Sequence, residues 1–257
     1  HHERDVRLLT LARDLRRRKA RDTRRLFVCE GVRAVEELLR SPIAPLGVIV
    51  APPLLEAPRG AALRESLRGA GTRVEEVPAR DFHSAAETES PQGVLAIAPI
   101  PERRLDAIEP ADGLRVLVLD ALQDPGNVGT ILRTAAALGA TATVALPGTV
   151  DLWNAKVVRG AMGALFRHHA LAATWDEIDA FRARAGFAVW VADAAGAPLG
   201  TAPAPSRLAL VVGNEGAGVS DQARRRADAT VALPIAPTVE SLNVAVATGI
   251  LLYELRP

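Results

Sequence analysis

From residue 115 onward this chain alternates short, nearly continuous apolar runs with stretches of helical spacing. The runs fall at 115–119, 141–146, 189–192, 208–212 and 230–233. A strand that is apolar at nearly every position, not at every second one, must be covered on both faces. The covering elements lie between the runs. Val128, Ile131, Leu132, Ala135 and Leu138 share one side of a helix over 128–138, and further helices are expected over 153–162, 220–226 and 242–255. Strands sandwiched by the helices that connect them form a mostly parallel sheet, so the expected class is α/β. In such a sheet, ligands bind where strands end and helices begin.

The first part of the chain shows a smaller version of the same alternation. Strands are expected over 26–29, 46–50, 73–77 and 94–98, with helices over 31–40, 61–69 and 81–86. A charged amphipathic helix over 3–21 precedes them. Residues 13–25 carry eight basic and two acidic side chains, although the whole chain has a formal charge of only +1. Arg16, Arg17, Arg18, Lys19, Arg24 and Arg25 are therefore candidates for phosphate contact, while a solvated helix face has the same composition. Pro101 and Pro110 mark 100–113 as a linker. The expected domains are 1–99 and 114–257. The single cysteine, Cys29, excludes an intramolecular disulfide and a cysteine-rich zinc site, and it reads as inert packing. No metal is expected. The apolar run 242–252 is shorter than the roughly 18 residues of a membrane span, and no signal segment opens the chain. A cytoplasmic protein is expected.

Three turns at strand ends carry the polar residues of interest. The first runs from Asp124 through Pro125, Gly126, Asn127 and Gly129 to Arg133. Asn127 stands where a helix cap is expected, and Gly129 and Arg133, four apart, share a helix face. The missing side chain at Gly129 lets a ligand approach the backbone beside the guanidinium. The second turn reads Gly213-Asn214-Glu215-Gly216-Ala217-Gly218. Its glycine order fails the dinucleotide-binding fingerprint, and no phosphate loop follows. The third comprises Leu233-Pro234-Ile235 and then Glu240-Ser241-Leu242-Asn243. Ser241 is expected to cap the last helix, and Asn243, in its first turn, needs a polar partner. That helix is apolar nearly all round, so burial on every side is expected, within the monomer or partly against a second subunit. Singly, each turn also fits an ordinary capped helix or glycine turn. His168, His169 and His83 lack ligand-spaced partners, and Arg224, Arg225 and Arg226 read as a solvated helix face.

In this order and at these spacings, the turns resemble the three motifs of the SpoU (TrmH-type) RNA ribose methyltransferases. The matching residues are Asn127, Gly129 and Arg133; Gly213, Asn214, Glu215, Gly216 and Gly218; and Pro234, Ser241, Leu242 and Asn243. The segment Lys156-Val157-Val158-Arg159 also resembles the family, with Ala161 where a serine is common. Leu26 to Gly31 resembles, more loosely, the head of a substrate-binding domain.

The resemblance implies a carboxyl-terminal deep trefoil knot, S-adenosylmethionine as cofactor, a homodimer and structured RNA as substrate, ribosomal RNA being favoured over transfer RNA. It implies catalytic roles for Asn127, Arg133, Glu215, Ser241 and Asn243. Arginine stays protonated in proteins, so Arg133 is expected to stabilise a developing alkoxide or clamp a phosphate, although the family arginine is also described as the activating group. Glu215 is expected to hold that guanidinium. Cofactor contacts are expected from Leu146, Pro147, Gly148, Gly213, Asn214, Glu215, Gly216, Leu233, Ile235 and Leu242. The competing readings are a Rossmann-type nucleotide enzyme, a transfer-RNA 2′-O-methyltransferase and a non-catalytic RNA-binding protein.

Overall fold

The computed structural model describes residues 6–257, so residues 3–5 of the expected first helix lie outside the described residues. The chain divides into two compact units. One comprises residues up to 101 together with 153–167, the other 102–152 and 168–257. Residues 102–113 of the expected linker thus belong to the second unit, where Leu105 and Ile108 are buried in its core. The expected methyl-transfer domain, in turn, lends 153–167 to the first unit.

The first unit opens with two helices, α1 (Leu8–Asp14) and α2 (Arg18–Arg24), where one had been expected. The interruption is stabilised by a residue that a charge count treats as surface. Arg21 is buried and donates to the carbonyls of Leu15 (2.9 Å) and Arg16 (3.1 Å), which the broken helix leaves open. Then follow β1 (Leu26–Glu30), α3 (Val32–Leu39), β2 (Gly47–Val50), α4 (Pro58–Gly69), β3 (Val74–Glu76), α5 (Ala79–Ala85) and β4 (Val94–Pro99). The sheet order is β1-β4-β2-β3. Its two β4 pairings are antiparallel and β2–β3 is parallel. Leu8, Leu9, Leu15, Phe82, Leu95 and Ile97 form the core on one side.

The second unit contains β5 (Arg115–Asp120), α6 (Pro125–Ala137) and β6 (Ala142–Ala145). The next helix, α7 (Ala155–Gly160), sits in the first unit. Phe27 explains its placement, with ring centroids 4.5 Å from Trp153 and 5.8 Å from Phe166. Back in the second unit come β7 (Ala170–Ala172), α8 (Trp175–Ala185), β8 (Ala188–Pro198), β9 (Leu208–Gly213), α9 (Asp221–Arg226), β10 (Ala229–Ala232) and α10 (Val244–Glu254). Six strands order as β10-β8-β9-β5-β6-β7, and every neighbouring pair is parallel. Val116, Val118, Val144, Val189 and Val211 meet Trp175 and Phe181 in one core.

Several expectations are corrected here. Strand β7 and helix α8 were absent from the sequence reading, although α8 opens with a full capping box between Thr174 and Glu177. Strand β8 runs past residue 192 because its register with β10 shifts between Thr230 and Val231. Gly196 permits this: a Cβ there would lie 2.7 Å from the Thr230 backbone. The arginine run of α9 is largely engaged. Arg226 makes a two-pronged contact with Asp179 at 2.8 Å and lies 4.6 Å over the Trp175 ring, while Arg224 pairs with Asp193. Helix α10 is not buried on every side. Ala245, Thr248, Leu251 and Leu252 face inward, but Val246 (52 %), Ile250 (41 %) and Tyr253 (52 %) are exposed.

His168 behaves as a core histidine. Its Nε2 lies 2.8 Å from Thr143 Oγ1, and burial, aided by Arg103 and His169, pushes its pKa down to about 4. Above the unfolded value near 6.5 the ring is neutral in both states. As pH falls from about 6.5 to 4, only the unfolded chain takes up the proton, so on the order of 3 kcal/mol of stability is lost across that window. Urea unfolding at a series of pH values is expected to show this slope, and His168→Gln is expected to flatten it. An unchanged slope in the variant would place the acid sensitivity elsewhere.

Candidate functional site

All six strands of the second unit point the same way, so their carboxyl ends share one edge. Strands added after β5 go outward on one side (β6, β7), and the later ones on the other (β9, β8, β10). The reversal lies between β5 and β9, the place where open α/β sheets leave a ligand crevice. The turns after these two strands are tied together three times. Ser220 N donates to buried Asp120 Oδ2 at 2.7 Å. Asn214 Nδ2 donates to the Ala121 carbonyl at 2.7 Å. The two oxygens of Glu215 lie 3.4 Å from the backbone nitrogens of Gln123 and Asp124.

The glycine turn is shaped from within. Asn214 Oδ1 accepts from Gly216 N and Ala217 N at 2.9 Å, and Asn214 exchanges two backbone hydrogen bonds with Gly218. A Cβ on Gly213 would lie 2.3 Å from the returning Gly218 and Val219 backbone, which leaves glycine as the residue that fits. Asn214 therefore gives the turn its shape with both ends of its amide. Glu215 engages backbone amides, not a guanidinium. The expected contact from Glu215 to Arg133 is absent. Arg133 is exposed on α6 and makes no hydrogen bond or ion pair among the described residues, while Gly129, one turn earlier, is buried.

Both expected caps move. Pro125 occupies the first turn of α6, so the helix starts earlier than expected, and Asp124 caps it by accepting from Asn127 N at 2.8 Å. Asn127 thus lies inside the first turn, and its side chain does not cap the helix. At α10 the cap is Asn243, whose Oδ1 accepts from Ala245 N (2.8 Å) and Val246 N (3.2 Å). Ser241 is exposed in the preceding turn. The polar partner that Asn243 required is Asn127: Asn243 Nδ2 donates to Asn127 Oδ1 at 3.1 Å. This single bond joins residues 116 positions apart and brings the first and third turns together.

The turn after β6 completes the edge. Leu146 is buried and bonds back to the Leu119 carbonyl, while Pro147 and Gly148 are exposed. Gly148 has a φ of +92°, and a Cβ there would lie 3.1 Å from the Ala121 Cβ. Buried Thr149, missed in the sequence, donates to the Leu119 carbonyl and accepts from Ala121 N. Asp120 and Asp124 were missed as positioning groups too, because a carboxylate at a strand end carries no pattern of its own. The edge has features that fit a purine-bearing cofactor. The backbone groups of Leu233 and Ile235 and the N–H of Gly148 make no hydrogen bond among the described residues. Ile235 and Leu242 are exposed apolar side chains. Open amides and carbonyls beside apolar surface are what such recognition uses. Among the described residues, no group of three metal-ligating side chains occurs.

In the first unit, Arg16, Arg17, Arg18, Lys19, Arg24 and Arg25 are all exposed. Arg17 and Arg24 share Asp14, whose carboxyl they hold below its usual range. Arg18 lies 3.7 Å from Asp22, and Arg16 donates to the Ser84 carbonyl at 3.2 Å. Neither the Lys19 nor the Arg25 side chain has a partner among the described residues. Such exposed pairs are weak, so the face keeps its positive charge.

Both parts of the chain resemble known families. Residues 114–253 match the SpoU rRNA Methylase family, and residues 10–96 match an MRM3-like substrate binding domain. The 23S rRNA (guanosine(2553)-2′-O)-methyltransferase RlmP of Bacillus subtilis is 35% identical over 243 residues, which cover 94% of this chain and 93% of the relative. An AdoMet-bound rRNA methyltransferase from Sinorhizobium meliloti superimposes with a TM-score of 0.82 at 30% identity, covering 96% of this chain and 93% of its own. The SpoU methyltransferase AviRb from Streptomyces viridochromogenes, in complex with the cofactor AdoMet, gives 0.85 at 26% identity and covers 97% of each chain. With three tied turns at the switch point and more than half of its length matched by one family, the chain belongs to the SpoU rRNA methylase family.

Proposed function

We propose that this protein transfers a methyl group from S-adenosylmethionine to a ribose 2′-hydroxyl of structured RNA, with 23S ribosomal RNA as substrate. The observation that carries the reading is the meeting of sequence-distant turns at one sheet edge, fixed by the 3.1 Å bond between Asn127 and Asn243. The relative named as a 23S rRNA 2′-O-methyltransferase supports the substrate class, and the two AdoMet-bound neighbours support the cofactor.

When bound, the cofactor supplies an activated methyl group, so the protein is left with binding, alignment and charge. Gly148, the 213–216 turn, Leu233 and Ile235 would hold it through backbone groups, and Leu242 would offer its base an apolar surface. Arg133 faces solvent without an acidic partner, so its guanidinium is available to an incoming phosphate or to a hydroxyl that is losing its proton. A permanently protonated group cannot take that proton itself, so the proton passes to solvent water at this exposed edge while the guanidinium lowers the energy of the alkoxide that forms. Asn127, held by Asn243, orients the ribose. The exposed hydroxyl of Ser241 completes the polar side of the site. Glu215 fixes the start of α6, and with it Asn127, through the amides of residues 123 and 124.

Three further features belong to this reading. Residues 1–99 bind RNA, with Arg16, Arg17, Arg18, Lys19, Arg24 and Arg25 on its phosphates, and residues 114–257 carry out the transfer. The carboxyl-terminal segment is threaded as a trefoil knot. In support, residues 233–243 leave the sheet at β10 and reach α6, past β8 and β9 in strand order. The protein works as a homodimer in the cytoplasm, with the exposed Val246, Ile250 and Tyr253 of α10 against a second copy. No helix among the described residues is long and apolar enough to cross a membrane.

Titration calorimetry is expected to detect S-adenosylmethionine binding, and labelled methyl transfer is expected into 23S rRNA. Arg133→Ala is expected to keep cofactor affinity within about threefold while transfer falls by about 100-fold or more. Absence of binding heat, or full activity in the variant, would sink the assignment. Label entering transfer RNA alone would move the substrate. Mixing chains in which Arg16, Arg17, Arg18, Lys19, Arg24 and Arg25 are changed to glutamine with Arg133→Ala chains is expected to restore activity. Continued silence of the mixture would mean that each subunit handles its RNA alone.

A further inference from the structure

The last helix is fixed at both ends, and its far fixing point is a buried cation. Asn243 holds the first turn of α10 against Asn127. At the other end Arg115, only 7 % exposed, donates from Nε to the Leu255 carbonyl at 2.6 Å. Its Nη1 donates to the carbonyls of Leu114 (3.0 Å) and Ser206 (3.1 Å). Among the described residues no carboxylate pairs with it, and burial lowers its pKa. A guanidinium held only by carbonyls is an expensive choice for a strand that is otherwise apolar. Two features offset it. The carbonyl end of a helix carries partial negative charge, and three rigid donors fix three chain segments at once. Gly113 N also donates to Ser206 O, and a Cβ on Gly113 would lie 3.4 Å from Pro257, so the same corner gathers the chain's end.

We propose that Arg115 is a positioning residue for the cofactor loop, acting through α10 across a helix length of about 16 Å. The inference rests on the methyltransferase reading above. Residues 233–242 have few internal bonds and are held between the end of β10 and the cap of α10. Their conformation therefore depends on where α10 sits along its axis. Arg115 sets that position from the far end, and Asn243 transmits it to Leu233, Ile235 and Leu242. Freeing the far end lets the loop sample more conformations, which the cofactor must then restrict on binding.

The test compares wild type, Arg115→Met and Arg115→Lys, with Phe181→Leu as a core change of similar instability in the same unit. Arg115→Met is expected to raise the KM for S-adenosylmethionine about tenfold with kcat within about threefold, and Arg115→Lys to recover part of that rise. Hydrogen exchange without cofactor is expected to quicken at residues 233–243 in the Met variant. Phe181→Leu is expected to lower Tm while leaving both readings at wild-type values. Wild-type KM and exchange in Arg115→Met, or an equal KM rise in Phe181→Leu, would overturn the proposal. Should Arg115→Met fail to fold, the Lys variant carries the same comparison, and wild-type KM and loop exchange there overturn it equally. A wild-type protein that binds no S-adenosylmethionine fails the methyltransferase reading instead, and the exchange result still reports on the link from Arg115 to the loop.

Discussion

Parallel pairing of six strands forces every strand-to-helix turn of the second unit onto one edge. The remaining features of the site follow from this. Turns that are far apart in sequence become neighbours without any long-range design beyond the strand order. The order reverses beside β5, and at that point no helix connection lies between the turns after β5 and β9. Asp120, Asn214 and Glu215 then close the gap with side-chain contacts to backbone. Each of these groups accepts from or donates to a main-chain atom. The geometry they hold is that of the backbone itself, which suits a ligand that is recognised through amides and carbonyls.

Much of this was legible in the sequence, and the reasons are specific. Consecutive apolar residues in β5, β6 and β9 announce a strand covered on both faces, and the parallel sheet follows. Glycine in a polar turn after a strand marks close backbone approach, as at Gly213, where a side chain has no room. The partner of Asn243 was required by polarity, but it could not be identified, because an asparagine at position 127 reads equally well as a cap. The caps were misplaced by two or three residues for one reason: Asp124 and Asn243 each precede or open a helix beside a second residue able to cap it. Helix α8 shows the converse, since its Thr174–Glu177 box was present in the sequence but not sought. The α1–α2 break was not legible, because it depends on one arginine among many being folded inward.

Arginine position therefore carries information that arginine number does not. Arg21, Arg115 and Arg226 sit close to charged neighbours in sequence, yet each is bound to carbonyls or to a carboxylate in a defined geometry. Arg133 differs from all three. It stands on a helix whose first turn is fixed by Asp124, Asn127 and Glu215, but it has no partner of its own among the described residues. A side chain left free on so tightly held an element is available to a ligand without first giving up an internal contact.

That contrast separates the groups that build the site from the groups that can meet a substrate. Asp120, Thr149, Asn214 and Glu215 have their polar atoms engaged within the protein. Arg133, Ser241 and the open backbone of Leu233 and Ile235 do not. A preorganised site lowers a barrier because its dipoles need not rearrange as charge develops, and preorganisation requires the first set to be satisfied internally. The same requirement explains why the acidic residue is kept away from the guanidinium. Resting on two amides, Glu215 stabilises the turn and makes no ion pair with Arg133 among the described residues.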